Sequence, residues 1–202
     1  MRSSIPIPTW NILVVGRSVT NAVDPATAVE HLINYVMTFD RGRNMIITPL
    51  RVPLIPAVEH LIGLGAPYVW PRTSSDYWLY AELFSSTCPV AMDNDDVIGV
   101  VIAFRSQNKP DDVYVQDVMS HPDHRRRGIA RALLDTVHQR ASTWGCHRLY
   151  LTSEPDNSTA HVTWLSLGFS NIRGDRITNG VSVISNYKGQ GKDRAVYELK
   201  IK

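Results

Sequence analysis

Cysteine is scarce in this chain: Cys88 and Cys146 are its only two, and they share no paired spacing. That argues against a disulfide scaffold and against a zinc site, and it fits a reducing, cytoplasmic compartment. No metal site is expected. Long apolar runs are missing too. Nothing approaches the roughly eighteen consecutive apolar residues of a membrane span, and the run Ile12-Leu13-Val14-Val15 is too short for a secretory signal core. No membrane partner follows. The formal net charge is only +2, so there is no general basic character to pair with nucleic acid. Neither a G-x-G-x-x-G nor a G-x-x-x-x-G-K run occurs, which excludes the Rossmann and P-loop phosphate sites. Internal repeats and low-complexity tracts are absent as well.

What is present suits one folded core: 44% hydrophobic residues against 20% charged, over 202 residues. Residues 1–43 read as an accessory segment. It has a short strand candidate at Ile12–Val15 and a helix from about Asp24, with Asp24 as N-cap and Pro25 in the first turn. From Asn44 to the end the pattern is that of a compact α+β domain. Met45–Val52 reads as a strand, Pro53–Leu64 as a helix, and Tyr77–Ser86 as a second helix after the polar joint Pro71–Asp76. Strands follow at Thr87–Met92 and Val97–Arg105, separated by a turn-forming Asp93-Asn94-Asp95-Asp96, and then from Val113 to Val118 or just beyond. Ile129, Leu133, Val137 and Ala141 mark a long amphipathic helix stopped by Gly145. Leu149–Thr152 is a short strand, Asp156 or Asn157 caps a further helix, and Ala195–Ile201 alternates as a half-buried strand should.

The most informative stretch lies between Val113 and Trp144. A strand runs into His121-Pro122-Asp123-His124, then Arg125-Arg126-Arg127-Gly128-Ile129-Ala130-Arg131, then the long helix. A helix N-terminus exposes unpaired amides and the positive end of its dipole. Gly128 lets an anion approach the backbone, and arginines add charge-assisted hydrogen bonds. Together these describe a diphosphate site. Taken alone, the same residues read more readily as a solvated basic helix start.

Arg125-x-x-Gly128-x-Ala130 after a strand and a His121-Pro122 turn, followed by Asn157-x-x-Ala160 and then Leu167-Gly168-Phe169, resembles the GNAT superfamily of N-acetyltransferases over residues 44–202. The resemblance implies a mixed, mostly antiparallel central sheet flanked by helices and splayed between its fourth and fifth strands. It implies acetyl-CoA as co-substrate. Main-chain groups of Val118, Met119 and Ser120 would meet the pantetheine arm and the acetyl carbonyl. The segment Arg125, Arg126, Arg127, Gly128, Ile129, Ala130 and Arg131 would hold the diphosphate, and Asn157 would contact the cofactor. A homodimer is the default assembly that it suggests.

Acetyl transfer to an amine needs a group to take the amine proton and a donor for the developing oxyanion. Asp117 is the first candidate base, with Glu154 second; the Val118 N–H is the candidate oxyanion donor. Many GNAT enzymes place a tyrosine, as acid for the leaving thiolate, where this chain has Trp164. Indole is a very poor acid. For the acceptor, Thr73–Tyr80 and Pro155-Asp156-Asn157 resemble the diaminobutyrate acetyltransferases of ectoine biosynthesis. Asp76, Tyr77, Tyr80, Glu82 and Trp164 are the candidate substrate residues. Gln116-Asp117 departs from that group, where a tryptophan followed by glutamine is expected. The reading is therefore a small-molecule amine acetyltransferase acting on an amino-acid or diamine-like substrate. A protein N-terminal or lysine acetyltransferase and a non-catalytic acetyl-CoA-binding module stay open. The segment Asn171–Lys192 reads as a long loop, ending in a glycine-rich exposed hairpin.

Overall fold

A computed structural model describes residues 45–201. The accessory segment 1–43, with its expected strand and helix, lies outside them. In chain order the elements are β1 (Met45–Pro49), α1 (Ile55–Gly63), α2 (Ser74–Leu83), β2 (Pro89–Asp93), β3 (Asp96–Arg105), β4 (Asp112–Ser120), α3 (Ile129–Thr143), β5 (Arg148–Ser153), α4 (Ser158–Ser166), β6 (Ser170–Asn171), β7 (Arg176–Thr178), β8 (Val181–Val183) and β9 (Ala195–Lys200). Seven strands form one sheet in the order β1-β2-β3-β4-β5-β9-β6, and β7 pairs with β8 separately. Within the large sheet β4–β5 is parallel and the other neighbours are antiparallel. This is the expected α+β architecture.

The central strand β3 is almost wholly apolar because both of its faces are covered. Ile98, Val101 and Ala103 belong to a core shared with Leu133, Leu134 and Val137 of α3. Val97, Val100 and Ile102 belong to a second core with Val58, Leu61 and Ile62 of α1 and Tyr77 of α2. Gly99 permits the tight seating of α3: a Cβ there would lie 2.4 Å from Ile129 Cγ2 and 3.0 Å from Leu133 Cδ1. Overpacking of this kind costs about 1–3 kcal/mol. Gly99→Ala is expected to lower the melting temperature by roughly 2–4 °C for each of those kcal/mol. An unchanged melting curve would mean that α3 is not packed this closely on β3.

Two local differences from the sequence reading have clear causes. First, α2 starts at Ser74 rather than Tyr77, because Thr73 and Asp76 form a capping box. The Thr73 hydroxyl accepts from the Asp76 amide at 3.3 Å, and Asp76 Oδ2 accepts from the Thr73 amide at 3.0 Å. Second, the loop expected over Asn171–Lys192 contains the β7–β8 hairpin. Asn179 and Gly180, with φ of 50° and 79°, make the left-handed turn that an Asn-Gly pair favours.

Candidate active site

The site begins with a misfit in the sheet. β4 and β5 pair only from Asp112 with Arg148 to Val115 with Leu151, then separate while β4 continues to Ser120 and β5 to Ser153. On the other side of β4, Ala103 faces Val115 and Ile102 faces Asp117, leaving Gln116 as an extra residue. Strand side chains alternate between faces, and one inserted residue reverses the alternation. Val113 and Val115 accordingly point into the α3 core, whereas Met119 points into the α1–α2 core. Asp117 shares the face of Met119. Without the bulge its carboxylate would enter the α3 core; with it, the carboxylate faces the mouth of the splay.

The opening is a cleft of about 710 Å³. Tyr68, Trp70 and Trp164 wall it with aromatic surface, and it collects charges of both signs: Arg72, Lys188 and Arg194 against Asp76, Asp117 and Glu154. The carboxylates differ sharply. Asp76 is tied into the α2 cap, and the Thr73 hydroxyl hydrogen bond holds its carboxyl below the usual range. Glu154 is paired with Arg194 at 3.1 Å. The Asp117 side chain is only 10% exposed, and its Oδ2 has no hydrogen-bond donor among the described residues; its nearest cation, Arg72 Nη2, is 3.7 Å away. Burial pushes the Asp117 carboxyl above its ordinary value, with Arg72, Lys188 and Gln116 pulling the other way.

The corner between β4 and α3 leaves its backbone amides open. After a short 3-10 turn at Pro122–His124, Arg126 and Gly128 adopt left-handed φ values of 63° and 77°, and α3 starts with Gly128 as an N-cap lacking a side chain. The backbone amides of residues 126 to 131 have no acceptor among the described residues. A Cβ placed on Gly128 would meet no heavy atom within 4 Å, so the space over this corner is open. The arginines do not act alike. Arg127 bonds Asp93 at 3.1 Å and His124 at 2.6 Å, bracing the β2–β3 turn, and Arg131 donates to the Ser166 carbonyl at the end of α4. Arg125 and Arg126 are exposed and make no ion pair among the described residues, which leaves them free for phosphate oxygens. The Ile129 side chain is buried, so what it and Ala130 leave at the corner is their backbone amides.

Main-chain direction decides what faces the gap. The His121 amide bonds the Ile98 carbonyl at 2.8 Å, so it points at β3. By strand alternation the Met119 and Asp117 amides also point at β3, while those of Val118 and Ser120 point into the splay. Among the three residues expected at the pantetheine arm, Val118 and Ser120 thus turn their main chain to the gap. Met119 does not: its main chain faces β3 and its side chain is buried in the α1–α2 core. Asn157 caps α4, its Oδ1 accepting from the Ala160 amide at 3.0 Å, and it borders the cleft. Trp164 lines the cleft, and its indole N–H is directed at Ser153 Oγ, 2.7 Å away.

Three expected acceptor residues stand outside the cleft lining. Tyr77 is fully buried, its hydroxyl accepting from the Arg72 amide at 3.4 Å. Tyr80 packs edge-on against Tyr77 and tilted against Phe104, and Glu82 lies on the exposed side of α2. In their place stand residues that the sequence reading passed over: Tyr68, Trp70, Arg72, Lys188 and Arg194. They come from irregular segments, which carry no periodicity to mark them.

The pattern of the acetyltransferase (GNAT) family matches residues 55–169, more than half of the chain. The chain belongs to that family. An L-2,4-diaminobutyric acid acetyltransferase from Marinococcus halophilus is 32% identical over 96 residues, covering 48% of this chain and 56% of that protein. One from Nocardia farcinica is 33% identical over 86 residues, covering 43% and 45%. This chain spans about half the length of the curated relatives it matches. Among solved structures, diaminobutyrate acetyltransferase EctA from Paenibacillus lautus, in complex with its substrate and coenzyme A, superposes with TM-score 0.62 at 21% identity over 78% of this chain and 95% of that one. Arabidopsis thaliana Naa50, in complex with a peptide bisubstrate analogue, gives 0.60 at 19% identity over 77% and 98%. Both likenesses show the GNAT fold; they do not choose between acceptors.

Proposed function

We propose that the chain transfers an acetyl group from acetyl-CoA to the primary amine of a small molecule, amino-acid or diamine-like, by direct attack on the thioester. The observation that carries this reading is the buried, incompletely paired Asp117 carboxylate at the mouth of the β4–β5 splay. A carboxylate raised by desolvation is a better proton acceptor, and an arriving ammonium group supplies the donor that its Oδ2 lacks. The aromatic walls suit a compact cation, and the names of the curated relatives favour a diamino acid.

Acetyl-CoA supplies the acetyl group already activated as a thioester. The amides of residues 126 to 131, with Arg125 and Arg126, hold the diphosphate. The Val118 N–H, turned into the gap, hydrogen-bonds the carbonyl oxygen as charge develops on it. Asp117 takes the proton of the amine. Trp164 provides no acid for the thiolate: its N–H is engaged by Ser153, so its part is to wall the cleft.

Thiol release from acetyl-CoA, followed across diamines, amino acids, aminoglycosides and peptides, tests the reading. Turnover with a small diamine or diamino acid is expected. Turnover confined to peptides would move the acceptor to a protein terminus, and binding of acetyl-CoA without turnover on any amine would make the chain a sensor.

A further inference from the structure

One group in the cleft remains unmatched on the cationic side. Arg194 is paired with Glu154 at 3.1 Å, and Arg72 faces Asp117 at 3.7 Å. Lys188 makes no ion pair among the described residues; its ammonium donates instead to the Tyr114 hydroxyl at 2.6 Å and lies 5.3 Å from the centre of that ring. The side chain is exposed and within electrostatic reach of Asp117, and one hydroxyl acceptor leaves its other N–H donors facing solvent at the cleft, open to an anion.

This lysine is held in place. Tyr114 lies on β4, where the pairings of Phe104 with Tyr114 and Ile102 with Asp117 put it on the same face of the sheet as Asp117. Its hydroxyl also lies 3.4 Å from Thr152 Oγ1 on β5. Lys188 itself comes from the connection between β8 and β9, which is internally braced. The Lys188 amide bonds the Lys192 carbonyl at 3.1 Å, Asn186 Oδ1 accepts from the Gly191 amide at 2.7 Å, and Asp193 Oδ1 accepts from the Asn186 amide at 2.8 Å. The glycine-rich stretch is exposed, as read from sequence, and it also brings a cation to the rim of the cleft.

We propose that Lys188 binds the carboxylate of the acceptor, with Tyr114 positioning it, so that the preferred acceptor is an amino acid bearing a second amine rather than a simple polyamine. This rests on the acetyl-transfer reading above and deepens it. The cleft holds one carboxylate wanting a donor and one ammonium wanting an anion, and a molecule with an ammonium at one end and a carboxylate at the other satisfies both. A polyamine would satisfy Asp117 and place a second positive charge towards Lys188, an arrangement that discriminates by repulsion as well as by attraction.

The test uses the full chain and two acceptors that differ only in the carboxylate, 2,4-diaminobutyrate and 1,3-diaminopropane. Thiol release gives kcat/KM for each, and calorimetry without acetyl-CoA gives acceptor binding. Wild type is expected to prefer the diamino acid. Lys188→Met, which keeps the apolar stem, is expected to shrink that preference by about tenfold to a hundredfold, the loss that follows removal of one charged hydrogen bond. The loss should appear in KM and in the calorimetric affinity for the diamino acid. Tyr114→Phe should move the ratio in the same direction by less. Equal changes for both acceptors, or no change, would overturn the assignment while leaving acetyl transfer intact. Binding of the diamino acid that is weakened by Lys188→Met, in a protein that releases no thiol, would support the subsite and sink the transfer reading instead. Absence of diaminobutyrate binding to wild type would also overturn the assignment.

Discussion

Asp117→Asn is expected to lower turnover by about a hundredfold or more, the usual contribution of a positioned general base, without weakening acetyl-CoA binding. The amide keeps the shape of the side chain but cannot take the proton. In wild type kcat/KM should fall as the pH drops through the raised Asp117 value, because only the ionised form accepts a proton. The same burial gives a stability signature. The folded state favours protonated Asp117 more than the unfolded chain does, so the folded state binds that proton more tightly. Stability from this group is fully present below the ordinary carboxylate value and is lost as pH rises through the raised one. Asparagine has no such loss. The melting-temperature difference, variant minus wild type, should therefore grow across that window and level off above it, at roughly 2–4 °C per kcal/mol. A difference that shrinks with rising pH, or unchanged turnover, would remove Asp117 from this role.

Gly128→Val is expected to abolish the thermal stabilisation by acetyl-CoA. A ligand at about a hundred times its Kd adds roughly 2.7 kcal/mol to the folded state, and for a domain of this size that is a shift of about 5–10 °C. Two effects remove it. The left-handed φ of 77° is strained for a branched residue, by about 1–3 kcal/mol. The new side chain also occupies the open space over the amides of residues 126 to 131. A cooperative melt of the unliganded variant separates lost binding from lost folding, and Gly128→Ala, smaller but equally left-handed, should keep part of the shift. A full wild-type shift in Gly128→Val would show that the diphosphate is held elsewhere.

The contrast between these two positions shows which parts of the fold are legible in the sequence. The corner around Gly128 is local: strand, turn, arginines and amphipathic helix follow one another along the chain, so the open helix start can be read there. Even so, the sequence does not distinguish Arg125 and Arg126, which are free, from Arg127 and Arg131, which brace Asp93 and the end of α4. Those ties join residues far apart in the chain. Asp117 is legible as a strand carboxylate, but its direction depends on the Gln116 bulge, which exists only through the register with β3. The acceptor side is the least legible. Asp76 lines the cleft but is tied up as a helix cap, Tyr77 is a core residue and Glu82 a surface one, while Arg72, Lys188 and Arg194 reach the cleft from segments without periodicity. The Asn-Gly pair at Asn179-Gly180 is a strong local signal for the β7–β8 hairpin, inside a segment that otherwise lacks periodicity.

A crystal structure of the chain with coenzyme A and 2,4-diaminobutyrate tests the central claim most directly. The account predicts the diphosphate on the amides of residues 126 to 131, the thiol in the gap beside Val118, and an acceptor nitrogen within hydrogen-bond reach of Asp117 Oδ2. Coenzyme A bound away from the β4–β5 splay, or an acceptor nitrogen out of reach of Asp117, would contradict it.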